Sequence, residues 1–191
     1  MSKNRLEAFS DAVLAIIMTI MVLGLTAPEQ PSPAALLPVL PALLSYALSF
    51  VILGIYWSNH HHLLQAVKHV DGRVLWANLH LLFWLSLIPF VTGWMGQSGF
   101  AAWPVAMYGI ILVLAAVAYL ILTRALIMLH GSESVLARAV GREVKGLVSV
   151  LIYLAAIPLA FVNSWLAGGL YAVVAVMWLI PDRRIEQRLT C

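Results

Sequence analysis

An acidic residue lies inside the first long apolar stretch of this sequence, which begins near Leu6. If a helix enters lipid there, Asp11 lies about 7 Å deep at a rise of roughly 1.5 Å per residue, where an unpaired carboxylate costs a few kcal/mol. Arg5 is about 240° away around the helix and Glu7 is a like charge one turn away, so neither stabilises Asp11 locally. A partner for this carboxylate must therefore come from another helix.

The third apolar stretch carries two candidate partners for Asp11. It enters from the same side near Val74, which puts Asn78 and His80 about 6 to 9 Å deep. An amide and an imidazole can both donate a hydrogen bond to a carboxylate. We therefore predict that Asp11 is bonded to Asn78 or to His80.

A second face of the first helix is apolar and carries one hydroxyl. At about 100° per residue, a sector of roughly 60° contains Ala12, Ile16, Thr19 and Leu23, with Ile20 at its edge. Such a sector could line a pore, or it could form an ordinary helix–helix contact in which Thr19 bonds to its own backbone. The periodicity is the same in both cases, so both interpretations stay open at this point.

Four histidines stand close together near the inner end of the second apolar stretch. Imidazole is the commonest metal ligand in proteins, but consecutive helical residues diverge by about 100°, so His60, His61 and His62 cannot all face one ion. His62 and His69 are seven positions apart and could share a face. We predict no metal site, and favour interfacial histidines or a hydrogen-bonded link to the first helix. Their spacing gives no support to a role in pH-dependent gating.

The elements that position these residues follow from composition. The 191 residues are 63% hydrophobic and 10% charged, with a mean hydropathy of +0.97, which is too apolar for a water-soluble surface. A helix needs about 20 apolar residues to cross the roughly 30 Å hydrocarbon core. Six stretches qualify or nearly qualify, at residues 6–26, 35–57, 74–96, 103–128, 147–163 and 166–180. We predict an all-α integral membrane protein with six transmembrane helices in one domain over residues 1–191, kinked at Pro89 and Pro158.

The basic residues indicate the orientation of these helices. All eleven fall before the first helix, after the last, or in and beside alternate connections, whereas the three other connections hold one charge, Glu29. Since cytosolic segments are enriched in Lys and Arg, both termini are predicted to be cytosolic. The basic residues are not gathered in a stripe, so no nucleic-acid partner is expected. Cys191 is the only cysteine, so one chain forms neither a disulfide framework nor a thiolate metal site.

The opening of the first helix resembles a known family signature. Its motif is similar to that of the transmembrane protein 175 family, the lysosomal potassium channels and their prokaryotic homologues, and reads Arg5-xxx-Phe9-Ser10-Asp11. The runs WSNHHH at 57–62 and LWANL at 75–79 also look like that family. The resemblance implies that these motif residues, with Asn78 and His80, form a structural network. It covers most of the chain and is weaker beyond the third helix.

The same resemblance implies a function for the apolar sector. In that family the first helix lines the pore, and its constriction falls here on Ile16, Ile20 and Leu23. The threonine linked to potassium preference falls on Thr19. The family's two-repeat members work as dimers, which implies a homotetramer for a single-repeat chain, placed in a prokaryotic plasma membrane. Potassium would be the permeant ion, and no cofactor is expected. The preference for potassium over sodium would be modest, because the sequence lacks the Thr-Val-Gly-Tyr-Gly loop of the common filter.

Two other classes of function compete with a passive channel. A proton- or ion-coupled secondary transporter would use ionisable groups near mid-membrane, for which Asp11 and His80 are the only deep titratable candidates. An integral membrane enzyme with a histidine-bound metal would need more ligands at suitable spacing. The sequence has no Gly-rich phosphate loop and no Ser/His/Asp nucleophile arrangement, so no enzymatic activity is predicted.

Overall fold

A computed structural model describes residues 2–28, 30–131, 134, 136–137 and 144–179. All regular structure in these residues is helical, with α-helices α1 (Lys3–Ile20), α2 (Leu40–Gln65), α3 (Gly72–Ser86), α4 (Ile88–Gln97), α5 (Ala102–His130), α6 (Val144–Leu159) and α7 (Ser164–Leu179). Short 3₁₀ helices cover Met21–Gly24 and Pro33–Val39. Several residues used above lie outside this part of the chain, namely Glu29, Arg138, Arg142, Arg183, Arg184, Arg188 and Cys191.

Helix α1 is built from apolar residues that recur on one side of the helical repeat, without proline or glycine before Gly24. Its buried residues fall within about 80° of the helix circumference and pack against α2, α3 and α4: Leu6, Ser10, Leu14, Ile17 and, just beyond the helix, Met21. The chain tightens over Met21–Gly24 and becomes extended at Leu25. Helix α1 is therefore packed against the rest of the bundle on one side only.

The third predicted span consists of two helices. Helix α3 ends at Ser86, and α4 begins at Ile88 with Pro89 in its first turn. Proline has no N–H to continue the hydrogen-bond ladder, and its ring clashes with the preceding turn. The predicted kink at Pro89 is thus confirmed as a break between α3 and α4. Pro158 lies in the last turn of α6, which ends one residue later at Leu159.

Helix α5 forms the centre of the bundle and packs against α3, α4, α6 and α7. Its buried Tyr108 belongs to a chain of hydroxyls in the interior. Ser49 Oγ lies 2.9 Å from Tyr108 OH and 2.6 Å from Thr92 Oγ1, and Thr92 Oγ1 donates to the Ile88 carbonyl at 2.7 Å. Each of these buried hydroxyls thus has a partner, as polar groups in an apolar interior require. These hydrogen bonds between hydroxyls join α2, α4 and α5.

The last two helices form a hairpin. Asn163 Oδ1 accepts from the backbone N–H groups of Trp165 and Leu166, both at 3.1 Å, and so caps the first turn of α7. The turn lies where the predicted stretches 147–163 and 166–180 meet. Tyr171 on α7 donates to the Val105 carbonyl on α5 at 3.0 Å, which ties the hairpin to the centre of the bundle.

Within the described residues, four segments are long and apolar enough to cross a bilayer: Lys3–Gly24, Pro33–Gln65, Gly72–Gln97 and Ala102–His130. Helices α6 and α7 are apolar as well, but each has 16 residues. At roughly 1.5 Å per residue this gives about 24 Å, less than the roughly 30 Å hydrocarbon core. The architecture is that of an all-helical membrane protein, and the number of six crossings stays a prediction.

Candidate pore helix and its anchoring network

A buried hydrogen-bonded chain ties α1 to α3 and α2. Asn78 Nδ2 on α3 donates to Ser10 Oγ on α1 at 2.9 Å, and Ser10 Oγ donates in turn to the Leu6 carbonyl at 2.8 Å. The amide nitrogen of Asn78 is directed at Ser10, so its Oδ1 accepts a hydrogen bond from His60 Nε2 on α2 at 2.7 Å. Ser10 and Asn78 are fully buried and His60 is 1% exposed. Three helices are thus fixed to one another through one asparagine.

The carboxylate of Asp11 has a partner that the sequence did not suggest. Trp57 Nε1 on α2 donates to Asp11 Oδ1 at 3.0 Å. The prediction that Asp11 bonds to Asn78 or His80 is therefore wrong. Asn78 faces Ser10 instead, and His80, about 200° further around α3, is exposed and accepts from Trp84 Nε1 at 2.9 Å. The two residues lie on opposite sides of their helix, and neither side faces Asp11.

A second contact between α1 and α2 lies one turn closer to the chain start. His61 Nδ1 lies 3.2 Å from Glu7 Oε1, and Gln65 Nε2 donates to His61 Nε2 at 2.8 Å. Since an amide nitrogen only donates, the proton of a neutral His61 is on Nδ1, which lies at ion-pair distance from Glu7 without forming a hydrogen bond to it among the described residues. The predicted hydrogen-bonded link between these histidines and the first helix is confirmed for His60, through Asn78, whereas His61 approaches Glu7 only at ion-pair distance.

A signal for these contacts was present in the sequence. Glu7 and Asp11 are four residues apart on α1, and Trp57 and His61 are four residues apart on α2. Pairs at this spacing share a helix face, so two such pairs on neighbouring helices can meet side by side. Because tryptophan is also enriched at membrane interfaces, Trp57 near a predicted helix end does not by itself indicate a contact with Asp11.

The described residues offer little to a metal ion. They contain no group of three or more His, Cys, Asp or Glu side chains that could hold one. The expected shared face of His62 and His69 is not formed, because α2 ends at Gln65 and His69 lies in the following connection. The ring of His69 instead lies 4.7 Å, between centroids, from that of His130.

The apolar sector of α1 is uncovered in the single chain. Ile16 is 62% exposed, Ile20 48% and Leu23 79%, and Thr19 is exposed beside them. Arg5 and Phe9 are exposed as well. The sector's centre lies about 150° from the buried side of the helix. The described residues of a single chain therefore leave most of this sector without a packing contact.

Thr19 makes the backbone contact that a threonine in a helix often makes. Its Oγ1 donates to the helix backbone and lies 2.9 Å from the Ala15 carbonyl and 3.1 Å from the Ile16 carbonyl. A hydroxyl has one proton and two lone pairs. With the proton directed at the helix backbone, the lone pairs of Oγ1 are left for groups outside the helix, such as water or a cation.

Comparison with known proteins finds similar channels along most of the chain. Residues 5–89 match the family model described as "Endosomal/lysosomal potassium channel TMEM175". A potassium channel of Chryseobacterium sp. (strain P1-3) is 54% identical over 189 residues, covering 99% of this chain and 98% of that protein. The "endosomal/lysosomal proton channel TMEM175" of Danio rerio is 30% identical over 135 residues, which are 68% of this chain and 25% of that protein.

A solved structure has the same fold. It is the crystal structure of a lysosomal potassium-selective channel TMEM175 homolog from Chamaesiphon minutus, with a TM-score of 0.79 and 26% sequence identity. The superposition covers 93% of this chain and 96% of that one.

The helical fold and its apolar segments define the class of protein, a multi-pass integral membrane protein of the ion-channel type. Within that class, the chain belongs to the TMEM175 family. The relatives described here are named channels and none is named an enzyme.

Proposed function

We propose that this chain is one subunit of a homotetrameric, passive potassium channel in which four copies of α1 surround the pore. The observation that carries the proposal is the division of α1 into two opposite sides. Ser10 and Asp11 are held by α2 and α3, whereas Ile16 and Leu23 are mostly exposed in the single chain. One helix cannot enclose a pore, so several subunits are required around a symmetry axis. The naming of two prokaryotic relatives as potassium channels supports the permeant ion.

The gate of this channel is proposed to be a stack of apolar rings. Ile16, Ile20 and Leu23 follow one another at about one helical turn on the uncovered side of α1. Rings of such side chains close a narrow pore by excluding water. The apolar character and exposure of the three residues support this role.

Modest selectivity for potassium over sodium is proposed to depend on Thr19. Four copies of its Oγ1, each with its proton directed at the helix backbone, would present a ring of lone pairs to a partly hydrated cation. An oxygen ring of this kind replaces only a part of the hydration shell, so the preference for potassium over sodium is expected to be small.

The remaining features of the proposal concern the membrane. The chain is proposed to be a single domain that crosses the plasma membrane of a prokaryote six times, with both termini in the cytosol. Support comes from the basic residues at one end of the described helices, such as Lys68 and Arg73. Helices as short as α6 and α7 can span if the bilayer thins locally around them.

Ion flux through purified protein in liposomes tests the proposal. Potassium and sodium gradients are compared for the wild type, for Ile16→Asn, and for the matched control Ile121→Asn. Ile121 is an isoleucine of α5 that is 44% exposed and lies outside the proposed pore. We expect potassium-favouring flux in the wild type, several-fold higher or less selective flux in Ile16→Asn because a polar side chain hydrates the constriction, and wild-type flux in the control.

Two outcomes would remove the channel proposal. One is the absence of passive flux in all three proteins. The other is uptake that requires a proton gradient and is unaffected at Ile16, which would favour a proton-coupled transporter. Proton flux is measured in the same liposomes, because the Danio rerio relative is named a proton channel.

A further inference from the structure

The connection between α2 and α3 is held to the end of α5 by a histidine. The backbone N–H of Lys68 donates to His130 Nε2 at 3.3 Å, and His130 Nδ1 lies 3.0 Å from the Leu126 carbonyl. The ring of His69 packs on that of His130, with centroids 4.7 Å apart and planes at 45°. His130 is half-buried, whereas Lys68 and His69 are exposed, so water reaches the contact.

The two hydrogen bonds of His130 fix its protonation state. The Leu126 carbonyl can only accept, so Nδ1 must carry a proton. The Lys68 amide can only donate, so Nε2 must be without one. Both bonds therefore exist together only in the neutral imidazole. A proton on Nε2 would place two donors face to face and break the bond to Lys68.

The surroundings of His130 are mostly basic. The charged and titratable groups of the connection, of the first turn of α3 and of the last turns of α5 are Lys68, His69, Asp71, Arg73 and Arg124, and α6, which packs on α5, carries Lys145. Asp71 Oδ1 accepts from the Val74 N–H at 2.9 Å, where it caps α3. Among the described residues no carboxylate pairs with His130. A protonated His130 would thus face the ring of His69 and the end of a helix, with no anionic side chain from the described part of the chain to hold it in place.

We propose that His130 is a proton-operated latch. When neutral, it holds the α2–α3 connection against the end of α5; when protonated, it releases that connection. Imidazole is the side chain whose charge ordinarily changes between about pH 5 and 8, and the latch is tested at two pH values from that range. The connection joins the helices that carry His60 and Asn78, the groups that anchor α1. That link to the pore helix rests on the proposed function, whereas the latch itself does not.

Hydrogen exchange of backbone amides tests the latch on the full chain in detergent. Exchange of the peptide containing Lys68 is compared at about pH 8 and about pH 5.5, after correction for the intrinsic pH dependence of exchange. We expect about fivefold faster corrected exchange at the lower pH, the factor that follows from losing one net hydrogen bond. In His130→Gln, which cannot be protonated, the two corrected rates should agree, and in His130→Lys both should be fast. His80→Gln, an exposed histidine outside the latch, should behave like the wild type.

Equal corrected rates in the wild type at both pH values would overturn the proposal, as would a His130→Gln variant that keeps the pH response. A pH response that is lost in His69→Gln but kept in His130→Gln would show that His69 is the sensor, and would overturn the proposal for His130. Nitrogen NMR shifts of the wild-type imidazole provide a second test without substitution, since the Nδ1-protonated neutral form must dominate at about pH 8. A normal exchange response in a protein without potassium flux would contradict the proposed function and leave the latch intact.

Discussion

At the scale of single residues, the buried polar groups at the start of α1 carry most of the specific information. Asn78 uses both its amide nitrogen and its oxygen, toward Ser10 and His60. His60 Nδ1 is buried without a partner among the described residues, so this histidine depends on Asn78 alone. A buried polar group that loses its last partner costs about 1–3 kcal/mol. Asn78 is therefore the side chain on which the position of α1 most depends.

Replacing Asn78 tests this dependence. Asn78→Leu has a similar volume but leaves both ring nitrogens of His60 without a partner, so we expect a loss of about 1–3 kcal/mol in unfolding free energy. Thermal unfolding in detergent measures it. Asn59→Leu is the matched control, because the Asn59 side chain is half-buried and bonds only to the Ile55 carbonyl of its own helix. Equal losses in both variants would argue against the network.

At the scale of elements, the bundle depends on close approaches between helices at glycines. Gly109 on α5 faces Tyr171 on α7, and a Cβ added at Gly109 would overlap the Tyr171 hydroxyl and touch Ile157 on α6. The hydroxyl is the group that donates to the Val105 carbonyl. A larger residue at 109 must therefore push the α6–α7 hairpin away from α5.

The variant Gly109→Ala should lower the stability of the fold. We expect a loss of about 1–3 kcal/mol from overpacking, measured as a lower midpoint of thermal unfolding. Gly169→Ala on α7 is the control, because a Cβ there meets no atom within 4 Å and alanine is the better helix former by about 1 kcal/mol. If both substitutions stabilised the protein, the close packing of α5 on α7 would be refuted.

At the scale of the whole molecule, the proposed pore would be completed by further copies of the chain on the exposed side of α1. On that side Ile16 is 62% exposed and Leu23 79% exposed in the single chain. Four chains around an axis would bring the copies of Leu23 together and leave residues such as Leu151 on α6, which is 56% exposed, facing lipid.

Cysteine cross-linking in membranes measures this arrangement. On a Cys191→Ser background, which has no other cysteine, Leu23→Cys should give products of up to four chains of 20.9 kDa each with a short bifunctional reagent. Leu151→Cys, the control for random collisions, should stay mainly monomeric. Efficient linking at Leu151 with none at Leu23 would mean that subunits meet through another face.

The sequence by itself determined the class of the protein and the division of α1 into two faces. Both depend on local quantities, the length of apolar runs and a period of about 3.6 residues, so Ile16, Thr19 and Leu23 could be placed on one side without coordinates. Only the tertiary structure decided which groups meet. Trp57 rather than Asn78 or His80 bonds to Asp11, and His130 rather than His62 lies beside His69. Such pairs depend on the rotation of each helix and on where it ends, and these are set by the packing of the entire bundle.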